Sequence, residues 1–270
     1  MIKRAFIALS VVLVTLAGVI GWQGLALREP VYQGRRLSDW LNAYRMYGLP
    51  GIETWQVRVE QQKADEAVRR TGTNGLPILL RMLRANDSAL KVKFMEFAMR
   101  QHFITIKYIP AEEQNYRACA AFGVLGAKAR SAVPALIEIA NHNLSRASQW
   151  YAIQALVLVG PPAQEAIPLL SGWATNADGS VRSCAINALG RIRADPERGL
   201  PVLINALNDP DPLIRTAALM ALQGLGANAK PAVPVLEEFL SNALSGVEWT
   251  YASNALKAID SEAAAKAGVK

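Results

Sequence analysis

Apolar and small residues recur at steps of three and four over most of residues 116–270, which is the spacing of one stripe along an α-helix. The helical segments come in pairs, and a proline stands at the start of the second segment of each pair. These prolines are Pro134, Pro168, Pro201 and Pro234, at intervals of 34, 33 and 33 residues. A period of about 33 residues predicts a row of stacked helix pairs, so the predicted fold is all-α, an α-solenoid.

Glycine marks the end of three of the four first helices, eight residues before the proline, at Gly126, Gly160 and Gly226. Glycine adopts a positive φ without steric cost and therefore stops a helix well. Proline in the first turn of the next helix sacrifices no hydrogen bond, because the N–H groups of that turn have no intrahelical acceptor. Arg193 holds the equivalent position in the remaining pair, and we expect that pair to stop its first helix differently.

The second helices have a predictable buried face and a predictable exposed ridge. The residue before each proline, and those two, five and six after it, are nearly always apolar and should be buried. The residue four after proline should face solvent, and it is Glu138, Gly172, Asn205 and Glu238 in turn. Glu138, Asn205 and Glu238, together with Glu237, are the candidate partner-binding residues, since carboxylates and amides suit a basic or polar partner. A ridge that is merely solvated is the other interpretation.

Two stretches carry a family resemblance, residues 181–189 (VRSCAINAL) and 208–222 (NDPDPLIRTAALMAL). They resemble HEAT repeats of the short type found in phycobilin lyase-like proteins. The resemblance covers about residues 116–268 and extends less regularly to 64–102. Residues 29–41 (EPVYQGRRLSDWL) resemble a lead-in found before HEAT arrays in uncharacterised membrane-anchored bacterial proteins. The resemblance implies a solenoid that offers binding surfaces, and it says little about a specific function.

Residues 5–27 contain no charged residue and follow Lys3 and Arg4. As a helix they would rise about 34 Å, enough to cross a hydrocarbon core of about 30 Å. We expect a transmembrane anchor through residues 5–27, with a cleaved signal segment as the alternative, because residues 24–26 (Gly-Leu-Ala) have the form of a cleavage site. Either way, the rest of the chain is expected outside the cytoplasm, periplasmic in a bacterium or secreted after cleavage.

These patterns divide the chain into four parts. They are the anchor or signal segment 1–27, a linker and short helix 28–56, an irregular HEAT-like part 57–115, and regular HEAT-like repeats with a C-terminal cap 116–270. Within the second part, Ser38 is predicted to cap the N-terminus of a helix over residues 37–47.

The net charge of +7 is uneven along the chain. Residues 1–110 carry 16 Lys and Arg against 8 Asp and Glu, whereas residues 111–270 carry 13 against 14. The basic N-terminal half is typical of a face near an anionic lipid surface or, as the second interpretation, of a nucleic-acid binder.

No catalytic or metal-binding pattern emerges from the sequence, and we expect neither a cofactor nor a metal. Cys119 falls in a core position, and Cys184 lies two repeats away. In a helix stack their sulfur atoms should be about 20 Å apart, too far to form a disulfide. Trp173 also falls in a core position. Arg182 and Arg215 occupy equivalent positions 33 residues apart, which indicates a repeated contact to a neighbouring turn or acidic group, with a ligand-binding role as the alternative.

The sequence therefore predicts a non-catalytic protein-interaction or scaffold module on the outer side of a membrane. Its partner is expected to be a protein, not a nucleic acid or a small-molecule substrate. The alternatives are a chromophore-lyase-like HEAT enzyme, or a basic binder of membrane surfaces or nucleic acid through residues 28–110.

Overall fold

A computed structural model describes residues 29–45, 54–100, 108–142, 144–193, 195–242 and 246–269. The predicted anchor, residues 5–27, lies outside the described residues.

The described N-terminal part begins with a β-hairpin and a short helix that pack onto the first long helix. Strands β1 (Val31–Tyr32) and β2 (Arg35–Arg36) pair antiparallel. They lead into α1 (Leu37–Trp40) and a 3₁₀ turn (Leu41–Ala43). The helices α2 (Thr54–Thr71), α3 (Leu76–Leu83) and α4 (Ala89–Arg100) follow. The hairpin, α1 and the 3₁₀ turn together are called the N-terminal cap below.

The N-terminal cap is an integral part of the core, although residues 28–56 were predicted as a linker with a short helix. Leu37 and Leu41 are fully buried and belong to the same apolar cluster as the rest of the array. Arg117, from the helix that follows α4, donates to the carbonyl oxygen of Tyr44 and to the amide oxygen of Asn42. The cap is therefore fixed by both apolar burial and hydrogen bonds.

Two predicted details of this region are wrong. The helix that begins at Leu37 ends at Trp40 and continues only as the 3₁₀ turn, so it does not run to residue 47. Ser38 lies inside that helix, after the N-cap residue Arg36, and its hydroxyl donates to the Glu29 carboxylate at 2.6 Å. Ser38 therefore connects two segments and does not cap a helix.

The rest of the described chain is the predicted row of helix pairs. The first helices are α5 (Ala111–Leu125), α7 (Arg146–Val159), α9 (Gly179–Arg191), α11 (Pro212–Leu225) and α13 (Gly246–Ile259). The second helices are α6 (Val133–His142), α8 (Ile167–Trp173), α10 (Leu200–Ala206) and α12 (Val233–Asn242). A last short helix, α14 (Ser261–Lys266), packs on α13. The described chain is thus an all-α solenoid apart from the N-terminal hairpin.

Each pair packs against the next in the row. First helix packs on first helix, as in α5 on α7 and α11 on α13, and each second helix packs on the following first helix, as α6 does on α7. Small residues allow close approach where α9 meets α11. A Cβ atom added at Gly190 would lie 2.5 Å from the Ala221 Cβ, far inside van der Waals contact. One apolar core therefore runs along the whole array.

The turns between paired helices have the predicted backbone character. Gly126, Gly160 and Gly226 have φ of +52°, +76° and +55°, with ψ of −134°, −142° and −136°. The expectation that the third pair stops its first helix differently is confirmed in part. Helix α9 ends at Arg191 with Ile192 as its C-cap residue, one position before the site of the glycines, but Arg193 also has a positive φ, +50°. That pair uses the same sign of φ with a side chain for which it is sterically unfavourable.

Among the described residues, one stretch is long and apolar enough by composition to cross a membrane, Ala111–His142. It consists of α5 and α6, which are separated by the break at Gly126 and a 3₁₀ turn. Helix α5 packs on α3 and α7, and α6 packs on α7. This stretch is therefore part of the core of the array.

Candidate functional site

The second helices present the predicted ridge to solvent. The leucines two residues after each proline, Leu136, Leu170, Leu203 and Leu236, are fully buried. Positions two and four after proline lie about 200° apart on a helix, so the fourth residue must face outwards. Glu138, Gly172, Asn205 and Glu238 are all exposed, as is Glu237. These five positions are called the second-helix ridge below.

Glu138 lies at the N-terminal end of the ridge and already has a charged partner. Its carboxylate lies 3.0 Å from the Arg84 guanidinium at the end of α3. Both side chains are substantially exposed, with 56% and 40% of their surface accessible. Exposed pairs of this kind contribute about 0–1 kcal/mol. The ion pair between Glu138 and Arg84 therefore adds little stability. Glu138 does not line the grooves that Asn205 and Glu238 border.

Asn205 and Glu238 border two adjoining grooves at the C-terminal ends of the second helices. The Asn205 groove has a volume of about 400 Å³ and also contacts Asn176 at the end of the preceding pair. The Glu238 groove has a volume of about 540 Å³ and extends to Asn242. Both grooves share the turn residues Asn208, Asp209 and Pro210 as a common wall. The two grooves therefore adjoin at this wall, and together they are called the double groove below.

Two arginines fix the shared wall of the double groove. Arg182 donates to both carboxylate oxygens of Asp209, at 2.9 and 3.2 Å. Arg215 donates to the backbone carbonyl oxygens of Asp209 and Pro210, at 2.8 and 3.0 Å, and to the Glu248 carboxylate at 2.7 Å. The prediction that Arg182 and Arg215 make a repeated contact to a turn and an acidic group is confirmed.

The electrostatics of Asp209 follow from these contacts. Burial alone would raise the Asp209 pKa, but hydrogen bonds from Arg182 and from the Asp211 N–H outweigh it, so the Asp209 pKa lies below its ordinary value. Asp209 is therefore a carboxylate with its partners already in place, and the exposed Glu238 is the acidic group of the double groove left for a partner.

The same contact recurs on two earlier first helices with other residues. Asn115 donates to the carbonyl oxygens of Met82 and Leu83 at the end of α3, and Gln149 donates to that of Ala140 in α6. Asn115, Gln149, Arg182 and Arg215 are 34, 33 and 33 residues apart, the same intervals as the prolines. These four positions are called the clamp positions below, because each holds the end of the preceding second helix.

The remaining predicted positions lie elsewhere. Glu237 borders a different groove, with Trp249 and Lys266 near the C-terminus. Trp173 is partly buried and packs against the core, as predicted. Cys119 and Cys184 are buried free thiols, and burial raises the pKa of both to about 12. In the part of the chain that the structure describes, no group of three or more His, Cys, Asp or Glu side chains could hold a metal ion.

Sequence reasoning missed the turn residues that complete the double groove, namely Asn176, Asn208 and Asn242. The signal was available, because the turn beginning at Asn208 marks the end of a repeat. Residues at the end of a second helix lie beside its exposed ridge, so they extend the same surface. The candidate surface is therefore wider than the ridge alone.

The family comparison agrees with this architecture. The family described as HEAT repeats matches residues 133–223 and, in a second overlapping match, residues 173–250. The crystal structure of one engineered protein from the Northeast Structural Genomics Consortium is similar at 19% identity, over 83% of this chain and 96% of that one, with a TM-score of 0.47. A second engineered protein from the consortium has 18% identity, over 86% and 71% of the two chains, with a TM-score of 0.40.

No curated protein matches the chain. The matched residues include the four prolines from Pro134 to Pro234, the clamp residues Arg182 and Arg215, and the whole double groove. Residues 133–250 of the chain therefore contain HEAT repeats.

Proposed function

We propose that this chain is a non-catalytic protein-interaction module, and that the double groove is its binding surface. HEAT repeats generally mediate protein–protein interaction or scaffolding. The observation that carries the proposal is that two grooves of about 400 and 540 Å³ adjoin along the exposed ridge and share one rigid wall. Adjoining grooves of this kind suit a polypeptide segment that crosses more than one repeat.

The chemistry of the double groove indicates the kind of segment that it binds. Asn205, Asn208 and Asn242 supply exposed amides, which both donate and accept hydrogen bonds. Among the described residues, Glu238 takes part in no ion pair, so its carboxylate can accept a Lys or Arg side chain. The proposed partner is therefore a protein segment with a basic residue placed opposite Glu238.

We also propose that the module is tethered to a membrane through residues 5–27 and lies outside the cytoplasm. The support is the sequence itself, with 23 consecutive uncharged residues preceded by Lys3 and Arg4. The net charge of −1 over residues 111–270 argues against nucleic acid as the partner of the repeats.

Site-specific photocrosslinking in the membrane-embedded full chain tests the binding surface. A photoreactive amino acid is placed at Asn205 or Glu238, and at two matched exposed controls, Asn254 on α13 and Glu262 on α14. We expect a defined protein adduct from positions 205 and 238 and none from the controls. Glu238→Lys, combined with the photoreactive residue at 205, should reduce that adduct severalfold, because it replaces attraction of a basic segment by repulsion.

Equal adducts from all four positions, or adducts with lipid or nucleic acid alone, would contradict the proposed binding surface. The tether is tested separately, by alkaline extraction of membranes and by fusing a reporter that is active only outside the cytoplasm to the C-terminus. Release of the intact chain by alkaline extraction, or an inactive fused reporter, would contradict the tether.

A further inference from the structure

The N-terminal end of the array has an exposed surface that combines apolar and basic side chains. In the hairpin, Val31 pairs directly with Arg36, so both side chains lie on the same face of the two strands. Val31 is 63% exposed, and Arg36 is exposed as well. The other face of the hairpin points to α1. Arg35 stacks 4.1 Å above the ring of Trp40 in that helix, and the Trp40 indole donates to the carbonyl oxygen of Tyr32.

The first half of α2 extends this surface. From Trp55 to Lys63 no side chain is buried, and the first buried residue of the helix is Ala64. About 13 Å of helix therefore projects beyond the core. Trp55 and Val59, one turn apart on the same side, are 59% and 39% exposed, and Arg58 lies beside them.

The hairpin lies next to α2, since strand β1 contacts that helix. The hydrogen bond from Lys63 is the main cause of the lowered pKa of Glu60, and the Arg35 charge lowers it further. Val31, Arg36, Trp55, Arg58 and Val59 together are called the cap surface below. Within the described residues, Arg36 and Arg58 take part in no ion pair, so their charges are available to an external partner.

The connection to the apolar segment is short and firmly held. Glu29 accepts hydrogen bonds from Ser38 at 2.6 Å and from Arg81 at 3.1 Å, so the array is fixed from residue 29 onwards. The apolar segment ends at Leu27. Two residues of chain span at most about 7 Å, so the cap cannot move far from the point where that segment ends.

We infer that the cap surface rests on the headgroup layer of an anionic bilayer and thereby sets the orientation of the array. This inference relies on the proposed tether. Trp is a preferred side chain at membrane interfaces, and Arg near an anionic surface is attracted to it. The C-terminal double groove then lies at the other end of the row of repeats from the bilayer, where a partner protein can reach it.

Lipid-dependent fluorescence quenching tests this inference on the full chain reconstituted in vesicles. Val31→Cys carries a fluorophore, and Ala265→Cys on α14, at the other end of the array, is the matched exposed control. Cys119 and Cys184 are only 7% and 6% exposed, so the introduced cysteine can be labelled selectively. The vesicles contain phosphatidylglycerol and a headgroup spin-labelled lipid as quencher.

We expect strong quenching at position 31 and weak quenching at position 265. Arg36→Gln with Arg58→Gln should lower the ratio of quenched to unquenched protein at position 31 by about fivefold for each cation removed. Arg191→Gln with Arg198→Gln, an equal charge change at exposed sites in the third pair, should leave it unchanged. Replacing phosphatidylglycerol by phosphatidylcholine should have the same effect as the first double variant.

Flotation of the same vesicles distinguishes failure of the cap-surface inference from failure of the proposed tether. If the chain floats with the vesicles but quenching is equal at positions 31 and 265, or insensitive to Arg36 and Arg58, the cap surface does not contact lipid and the inference is wrong. If the chain does not float, the tether itself is absent, and the orientation that depends on it is wrong as well.

Discussion

Arg215 is predicted to be one of the most important polar residues for the stability of the array. Its guanidinium makes three hydrogen bonds, to the Glu248 carboxylate at 2.7 Å and to the carbonyl oxygens of Asp209 and Pro210 at 2.8 and 3.0 Å. The Glu248 and Arg215 side chains are only 4% and 16% exposed. Arg215→Met keeps most of the apolar stem but removes the charge and every donor.

The expected loss is about 3–4 kcal/mol of the free energy of unfolding. Removing one member of a buried ion pair costs about 3–5 kcal/mol, because the remaining charge stays desolvated. Water can replace part of the lost hydrogen bonding at Pro210, which is exposed, so the lower part of that range applies. Arg198→Met is the matched control, since Arg198 is exposed and outside the described ion pairs, and it should change stability by less than about 0.5 kcal/mol.

Urea unfolding of the full chain in detergent, followed by circular dichroism, measures these values. A double-mutant cycle with Glu248→Gln isolates the pair, and we expect Arg215→Met and Glu248→Gln together to cost clearly less than the sum of the single changes. Hydrogen exchange should show the loss of protection mainly in α11 and α13, because each repeat is stabilised chiefly by its contacts with adjacent repeats. A cost below about 1 kcal/mol for Arg215→Met, or strict additivity, would refute the structural role of the clamp.

Three further changes test the packing, the turns and the acid response. Gly190→Ala should lower the thermal midpoint, because the added methyl group would overpack against Ala221. The net cost in free energy of unfolding is about 1–2 kcal/mol after the gain in helix propensity. Adding Ala221→Gly to the same chain should recover part of that free energy. Arg193→Gly should raise the thermal midpoint and increase the free energy of unfolding by about 0.5–1 kcal/mol, because relief of the positive φ outweighs the greater unfolded-state entropy of glycine. An unchanged or lower midpoint would contradict this. The lowered pKa of Asp209 stabilises the fold above its unfolded pKa, and this contribution is lost as the pH falls through the lower folded value. Asp209→Asn should therefore flatten the decline of stability in a urea titration series below about pH 4, whereas an unchanged slope would show that Asp209 is not coupled to Arg182.

The repeat architecture could be predicted because its causes are local and periodic. The spacing of Pro134, Pro168, Pro201 and Pro234 fixes which face of each second helix is buried, and all four leucines two positions later are fully buried. The exposure of Asn205 and Glu238 follows from the same helical period. Burial and exposure that depend only on the position within a helical turn, and that recur in four repeats, can be predicted from the sequence.

Features that depend on contacts distant in sequence could not be predicted. Leu37 and Leu41 look like part of a spacer until the helix that covers them, α2, is placed beside them. The clamp positions were recognised only where the same residue recurs, at Arg182 and Arg215. Asn115 and Gln149 make the equivalent contact with a shorter reach and no charge, so residue identity conceals the shared role.

The clamp and the double groove divide the polar residues of the repeats into two groups with different tolerance to change. Arg182 and Arg215 donate to turn carbonyl oxygens and to the carboxylates of Asp209 and Glu248, so they hold the wall of the groove in place. Asn205 and Glu238 are exposed and do not take part in holding that wall. Substitution at Asn205 or Glu238 can therefore alter recognition without unfolding the array, whereas a change at Arg215 removes the wall that any partner would contact. A binding surface with this division can change its partner at the ridge while the clamp preserves the shape of the groove.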